Sequence, residues 1–184
     1  FYYIYIYNTI MSQIFKTRMS SDILFSLLDH IASKEINYYV INNVAYKKGM
    51  FNEIVSKFIE QGKRVIYVAF SACEQSVLPQ FPKDILIQEV TQATAELGIK
   101  PEDLILKRFE VRTFNYHRQE ILDILIQLRE TYKPDTVLIP SVNDIHQDHK
   151  TIAEEALRAF KFVNIFSYEL PWNNLNFQTC AFEV

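Results

Sequence analysis

Two histidines and two aspartates crowd into one short run, Asn143-Asp144-Ile145-His146-Gln147-Asp148-His149, in a chain that holds four histidines altogether. A neutral imidazole binds a divalent metal or exchanges a proton near neutral pH, and a carboxylate beside it orients the ring and raises its basicity. His146 and His149 are separated by one helical turn, so a helix that starts early in the run turns both rings the same way. Asp148 is a candidate cap for that helix through its side-chain oxygen. The plain alternative fits the same spacing: Asp144 and Asp148 cap a helix, and both imidazoles are solvated at its start. A hydrolytic zinc centre uses three protein ligands and keeps a position open for water, so two histidines need help from another loop.

The elements that position this run follow from hydrophobic spacing. Apolar residues from Ile23 to Ile31 recur at helical intervals behind a cap at Ser21 or Asp22, and Tyr38–Ile41 is a compact strand-forming run. A helix is expected over Phe51–Gln61, stopped by Gly62, followed by a strand over Val65–Phe70. After a loop from Ser71 to Pro82 come a helix over Asp84–Leu97, stopped by Gly98, and a short strand over Asp103–Leu106. His117–Tyr132 forms the next helix, broken by Lys133-Pro134-Asp135. Thr136–Ile139 is a buried strand, Pro140–Gln147 its exit loop, Asp148–Phe160 a helix and Asn164–Tyr168 a strand. Such alternation predicts a mostly parallel sheet covered on both faces, a three-layer α/β/α sandwich, with ligands at the carboxyl ends of the strands. The loops to watch are therefore Asn42–Gly49, Ser71–Pro82 and Pro140–Asp148.

Composition narrows the function classes. The chain has 184 residues, 49% of them hydrophobic, which suits a single domain with a real core. A net charge of −3, with no basic tract beyond pairs such as Lys47-Lys48 and Lys63-Arg64, gives no nucleic-acid surface. Two distant cysteines, Cys73 and Cys180, favour a reducing, cytoplasmic setting over a disulfide framework. Phe1–Ile10 is apolar but too short to cross a bilayer, and no basic stretch marks it as a secretion signal, so no membrane association is expected. Residues 1–19 read as an extension outside the domain and 20–184 as the domain. With three glycines in all, no glycine-rich phosphate cradle can be assembled.

Pro140-Ser141 through His149, with the Lys133-Pro134-Asp135 stretch and strand before it, resembles the second motif of the PIG-L/LmbE family of zinc-dependent N-deacetylases. The resemblance extends to Phe70-Ser71-Ala72-Cys73-Glu74, to Glu89 and Leu97-Gly98-Ile99, to Val111-Arg112 with Arg118-Gln119-Glu120-Ile121-Leu122, and to Tyr168-Glu169-Leu170-Pro171-Trp172-Asn173, in order from about Tyr38 onward. It implies a Rossmann-like fold and hydrolysis of the acetamide of an N-acetyl amino-sugar conjugate, an N-acetylglucosaminyl group or a relative. It further implies zinc as cofactor, His149 as a ligand, His146 stabilising or protonating the tetrahedral intermediate, and Asp148 tuning His146. Arg112 and Trp172 are the substrate-contact candidates, Trp172 with Phe177 as an apolar wall for the sugar ring. The family pattern continues past Val184, so the domain is expected to be cut short there.

The family's first metal motif, His-Pro-Asp-Asp-Glu or a near variant, belongs after the first strand. At that place stands Asn43-Val44-Ala45-Tyr46-Lys47, so the expected histidine, base carboxylate and ligand carboxylate are Asn43, Ala45 and Tyr46. Lys47 adds a positive charge where a dication would sit. Asp144, Glu74 and Cys73 are the substitute ligands that neighbouring loops offer, each with an ordinary structural role as the alternative. His30, His117 and Arg118 read as helix-face residues. Two functional classes follow: a hydrolase with a rebuilt site, or a non-catalytic homologue that binds a sugar or a partner.

Overall fold

The computed structural model of the chain describes residues 38–42, 50–169, 173–174 and 181–182. Their elements run β1 (Tyr38–Asn42), α1 (Met50–Glu60), β2 (Val65–Ala69), α2 (Ile85–Glu96), β3 (Leu104–Leu106), α3 (Arg118–Tyr132), β4 (Thr136–Pro140), α4 (Gln147–Ala159), β5 (Asn164–Tyr168) and β6 (Ala181–Phe182). Most differ from the spacing-based expectation by a residue or so at an end, as helix and strand termini do. The helix expected over 21–31 and the boundary at residues 19 and 20 lie outside the described residues.

Three differences have physical causes. β3 starts at Leu104 rather than Asp103, because Pro101 opens a 3-10 turn over Pro101–Asp103. Asp103 instead turns its carboxylate to Arg64, accepting from Nε at 3.1 Å and Nη2 at 2.8 Å. α4 starts at Gln147, one residue before Asp148, for the capping reason given below. β6 was not anticipated: a two-residue strand is too short to carry a periodic pattern, and only its antiparallel pairing with β5 defines it.

The sheet order is β3-β2-β1-β4-β5-β6. β1 to β5 pair in parallel and β6 runs against β5. Tyr38 of β1 is in register with Val65 of β2 on one side and Thr136 of β4 on the other, so the strand order reverses between β1 and β4. Exit loops on either side of such a reversal diverge and leave a crevice.

Alternate residues of each strand enter opposite cores, as the strand pleat dictates. Ile66 and Val68 of β2 and Val137 and Ile139 of β4 pack with Ile121, Leu125, Ile152 and Ala156 of α3 and α4. Val65, Tyr67 and Ala69 of β2 and Leu138 of β4 pack with Val55, Phe58 and Val90 of α1 and α2. The result is the expected three-layer α/β/α sandwich. Gly98 closes α2 at φ +83°, and a Cβ there would lie 3.1 Å from Cγ2 of Ile59, so this turn needs glycine for its conformation and for the approach of α1.

α3 and α4 are also joined by charge. Glu155 is fully buried on α4 and pairs with Arg118 of α3 and, at 2.5 Å, with Arg158. Arg129 of α3 donates to the Ala159 carbonyl at 2.6 Å. This fixes α4, and with it the histidine run at its start, against the rest of the layer.

Candidate functional site

The chain leaves β4 into a loop that is pinned on both sides. Ser141 N donates to the Tyr168 carbonyl at 2.9 Å, Asp144 N to the Ser141 carbonyl at 3.1 Å, and Ile145 N to the Asn173 carbonyl at 2.8 Å. Asp144 and Asn174 form an antiparallel bridge, so the segment after β5 braces this loop.

Within it, Asp144 is 2% exposed and acts twice. One oxygen accepts from the backbone N–H of His146 at 2.7 Å, a turn-forming contact two residues on. The other lies 2.7 Å from Nδ1 of His149. A carboxylate only accepts, so Nδ1 carries a proton, and in the neutral ring Nε2 of His149 is left with a bare lone pair. His149 is 4% exposed, and Asp144 and Asp148 are buried with it. That rules out the reading of a solvated helix start for this ring.

His146 is the N-cap of α4, its Nδ1 accepting from the Asp148 N–H at 3.3 Å. A backbone N–H can only donate, so in the neutral ring the proton sits on Nε2. Burial lowers the proton affinity of His146, helped by the neighbouring His149 and Arg112 and opposed by Asp148 and Asp144. The positive end of α4 acts in the same direction. The two rings stack with centroids 4.5 Å apart and planes 27° from parallel. One neutral imidazole therefore offers an N–H donor beside another that offers a bare acceptor.

Asp148 does not cap the helix. The cap is His146, because its ring reaches the first free N–H while the Asp148 carboxylate is engaged elsewhere. One oxygen accepts from Arg112 N at 2.5 Å and the other from Phe114 N at 3.4 Å, both in the loop after β3. Among the described residues the Asp148 carboxylate makes no hydrogen bond to the His146 ring, and it acts on that ring through its charge. Gln147 Nε2 donates to the Arg112 carbonyl. Arg112 is exposed at the rim and holds φ +69°.

The other candidates scatter. Trp172, Phe177, Cys180 and His30 lie outside the described residues. Arg118 pairs with Glu154 at 2.8 Å and with Glu155, as a strut between helices. Glu74 pairs with Arg108 at 2.6 Å. Cys73 is buried at φ 52°, and burial pushes its thiol away from the thiolate form that ligates metals, against a smaller opposing pull from Ser71. His117 is on the surface, 3.3 Å from Glu120 and edge-on to Phe109. Asn174 had no signal in the sequence: its carboxamide is buried beside the loop, and neither its nitrogen nor its oxygen is hydrogen-bonded among the described residues.

Zinc can be tested against these side chains. Nε2 of His149, with Nδ1 tied to a carboxylate, is the form a metal-binding imidazole takes. Beyond it the donor set fails. No group of three or more His, Cys, Asp or Glu side chains that could hold a metal occurs among the described residues. The segment after β1 lies outside the described residues, and its sequence Asn43-Val44-Ala45-Tyr46-Lys47 contains no imidazole, thiol or carboxylate. The described residues do not complete a three-ligand zinc centre.

The family model described as PIG-L: GlcNAc-PI de-N-acetylase matches residues 48–160. No curated protein matches the chain. Among solved structures, a triple mutant of a deacetylase in the teicoplanin biosynthetic pathway superposes with a TM-score of 0.57 at 15% identity, covering 72% of this chain and 63% of that one. An N,N'-diacetylchitobiose deacetylase from Pyrococcus horikoshii gives a TM-score of 0.61 at 17% identity, covering 82% of this chain and 69% of that one. A 4-carboxy-2-hydroxymuconate hydratase from Pseudomonas putida gives 0.56 at 16% identity, covering 73% and 66%. The chain thus spans roughly two thirds of these structures' lengths, and at such identities the likeness speaks for the fold rather than for one reaction.

Proposed function

This chain belongs to the PIG-L family of GlcNAc-PI de-N-acetylases, and we propose that it removes the acetyl group from an N-acetyl amino-sugar conjugate. One observation carries the reading: the buried Asp144–His149 pair stacked on His146 at the point where the strand order reverses. The missing donors after β1 leave zinc no step in the scheme that follows.

Nε2 of His149 takes a proton from water as the water oxygen bonds to the acetamide carbon. The Asp144 carboxylate steadies the charge that the ring then carries, as the acid does in a Ser-His-Asp triad. Nε2–H of His146 donates to the oxygen of the tetrahedral intermediate, the task for which a neutral imidazole at a helix N-terminus suits. The proton on His149 passes to nitrogen as the C–N bond breaks, giving acetate and a free amine. Arg112, exposed at the rim, and Trp172 are assigned to the substrate, Trp172 by stacking on a sugar ring. A cytoplasmic setting belongs to the same proposal, in keeping with the free Cys73. No helix among the described residues is long and apolar enough to cross a membrane.

A second reading is favoured by the amide, apolar, phenol and ammonium side chains of Asn43–Lys47: a homologue that binds the sugar and does not turn it over. One experiment separates them. The full chain is incubated with N-acetylglucosamine 1-phosphate while acetate is followed by a coupled assay and binding by calorimetry. The hydrolase reading predicts acetate release, lowered at least about 100-fold in His149→Ala and His146→Ala. Binding without acetate establishes the second reading, and neither binding nor acetate overturns both.

A further inference from the structure

We propose that the two stacked imidazoles have a further activity, proton exchange at a carbon next to a carbonyl, with small hydroxy ketones of the triose class as substrates. The inference needs no acetamide and does not depend on the deacetylation reading, although both use the same pair of rings.

Each ring has one nitrogen tied down and one left over. Nδ1 of His146 accepts from the Asp148 N–H at 3.3 Å, so that nitrogen is bare and the ring is neutral, with its proton on Nε2. Nδ1 of His149 lies 2.7 Å from Asp144, which leaves Nε2 as the acceptor of the neutral ring. Neither Nε2 has a hydrogen-bond partner among the described residues, and neither is one of the buried unpaired polar atoms found there, so both nitrogens are open to a ligand.

The surroundings hold this pair in place. Asp144 is 2% exposed, and its second oxygen accepts from the His146 N–H at 2.7 Å, so one carboxylate sets the position of both residues. Its loop is held in turn by the Asn173 carbonyl, which accepts from Ile145 N at 2.8 Å. The rings are stacked with centroids 4.5 Å apart. A carbonyl oxygen and the carbon beside the carbonyl are two bonds apart, a span that rings at this spacing bracket.

Enolisation asks for one acceptor at the carbon and one donor at the oxygen. A neutral imidazole at a helix N-terminus suits the second task, as His146 does here. Nε2 of His149 takes the proton from the carbon. The C–H electron pair becomes a carbon–carbon double bond, and the carbonyl pair moves onto oxygen, where Nε2–H of His146 holds it. Asp144 stabilises the imidazolium formed on His149. Reversal returns a proton to carbon; in heavy water it returns a deuteron, because the imidazolium N–H exchanges with solvent. Imidazole is a weak base, so the C–H must be acidified, and a hydroxyl on the reacting carbon does this. His149 is 4% exposed, which favours a short, slim substrate.

The test follows dihydroxyacetone in heavy water by proton NMR, with the full chain in a buffer free of imidazole, with a chelator and without it. Loss of the methylene signal is expected at least about 100 times faster than with free imidazole at the same concentration, and unchanged by the chelator. His149→Gln and His146→Phe should each lower the rate about 100-fold or more, the first by removing the acceptor and the second by removing the donor while keeping a stacked ring. A rate no greater than that of free imidazole overturns the proposal, and so does a rate that the chelator abolishes or that His149→Gln leaves unchanged. Exchange without acetate release from N-acetylglucosamine 1-phosphate sustains the proposal and removes the deacetylation reading; acetate release without exchange does the reverse. If neither variant folds, the comparison of the unaltered protein with free imidazole decides alone.

Discussion

Asp144 sets what His149 can do. Its carboxylate fixes the proton on Nδ1 and so leaves Nε2 as the acceptor of the neutral ring. Asparagine in its place can donate to Nδ1, which would move the ring proton to Nε2 and remove the acceptor. Asp144→Asn is therefore predicted to lower acetate release by about 10²- to 10⁴-fold, while folding stability drops by only about 1–2 kcal/mol in urea titration. His146 gives a pH prediction. Its proton affinity is lowered in the fold, so the unfolded chain binds more protons between the two pKa values and stability rises with pH there. The contribution is complete above the ordinary histidine range and is lost as pH falls through the lowered value. His146→Asn keeps a capping side chain but does not titrate, so its melting temperature should fall less than that of the unaltered protein between pH 7 and pH 5. The cluster of acids and imidazoles was legible in the sequence as a site. Which acid serves which ring was not, because Asp144 and Asp148 are equivalent by type and spacing, and only the path of the loop turns one toward His149 and the other toward Arg112.

The helices and strands that carry these side chains were legible wherever burial repeats over several turns or a whole strand. β2 and β4 are buried along their length and read as unbroken apolar runs. α3 presents Ile121, Leu122, Leu125 and Leu128 at helical intervals. What escaped was held by contacts between distant segments: the turn at Arg112, the brace from Asn173 and Asn174, and the two residues of β6. Such contacts leave no local period to read. The joint between α3 and α4 is of this kind. Glu155 is buried between Arg118 and Arg158, whose own side chains are about half exposed, so its value comes mainly from a charge-assisted hydrogen bond to Arg158 and an ion pair with Arg118. Glu155→Gln keeps the shape and removes the charge. It should cost about 1–2 kcal/mol in chemical denaturation, an exposed-pair estimate raised for the buried partner.

For the molecule as a whole, a parallel sheet whose order reverses between β1 and β4 favours a binding site at the carboxyl ends of those strands. The loop after β4 carries a buried acid, an acceptor ring and a donor ring. The sequence after β1, Asn43-Val44-Ala45-Tyr46-Lys47, holds none of the acids or histidines of the family pattern. The account that follows is hydrolysis by the chain's own Asp144–His149 pair with His146 as donor. The most direct measurement is acetate release from N-acetylglucosamine 1-phosphate by protein stripped of metal with a chelator and checked by elemental analysis. The account predicts a rate unchanged by stripping and lost in Asp144→Asn. A rate abolished by stripping and restored by one equivalent of zinc would contradict it.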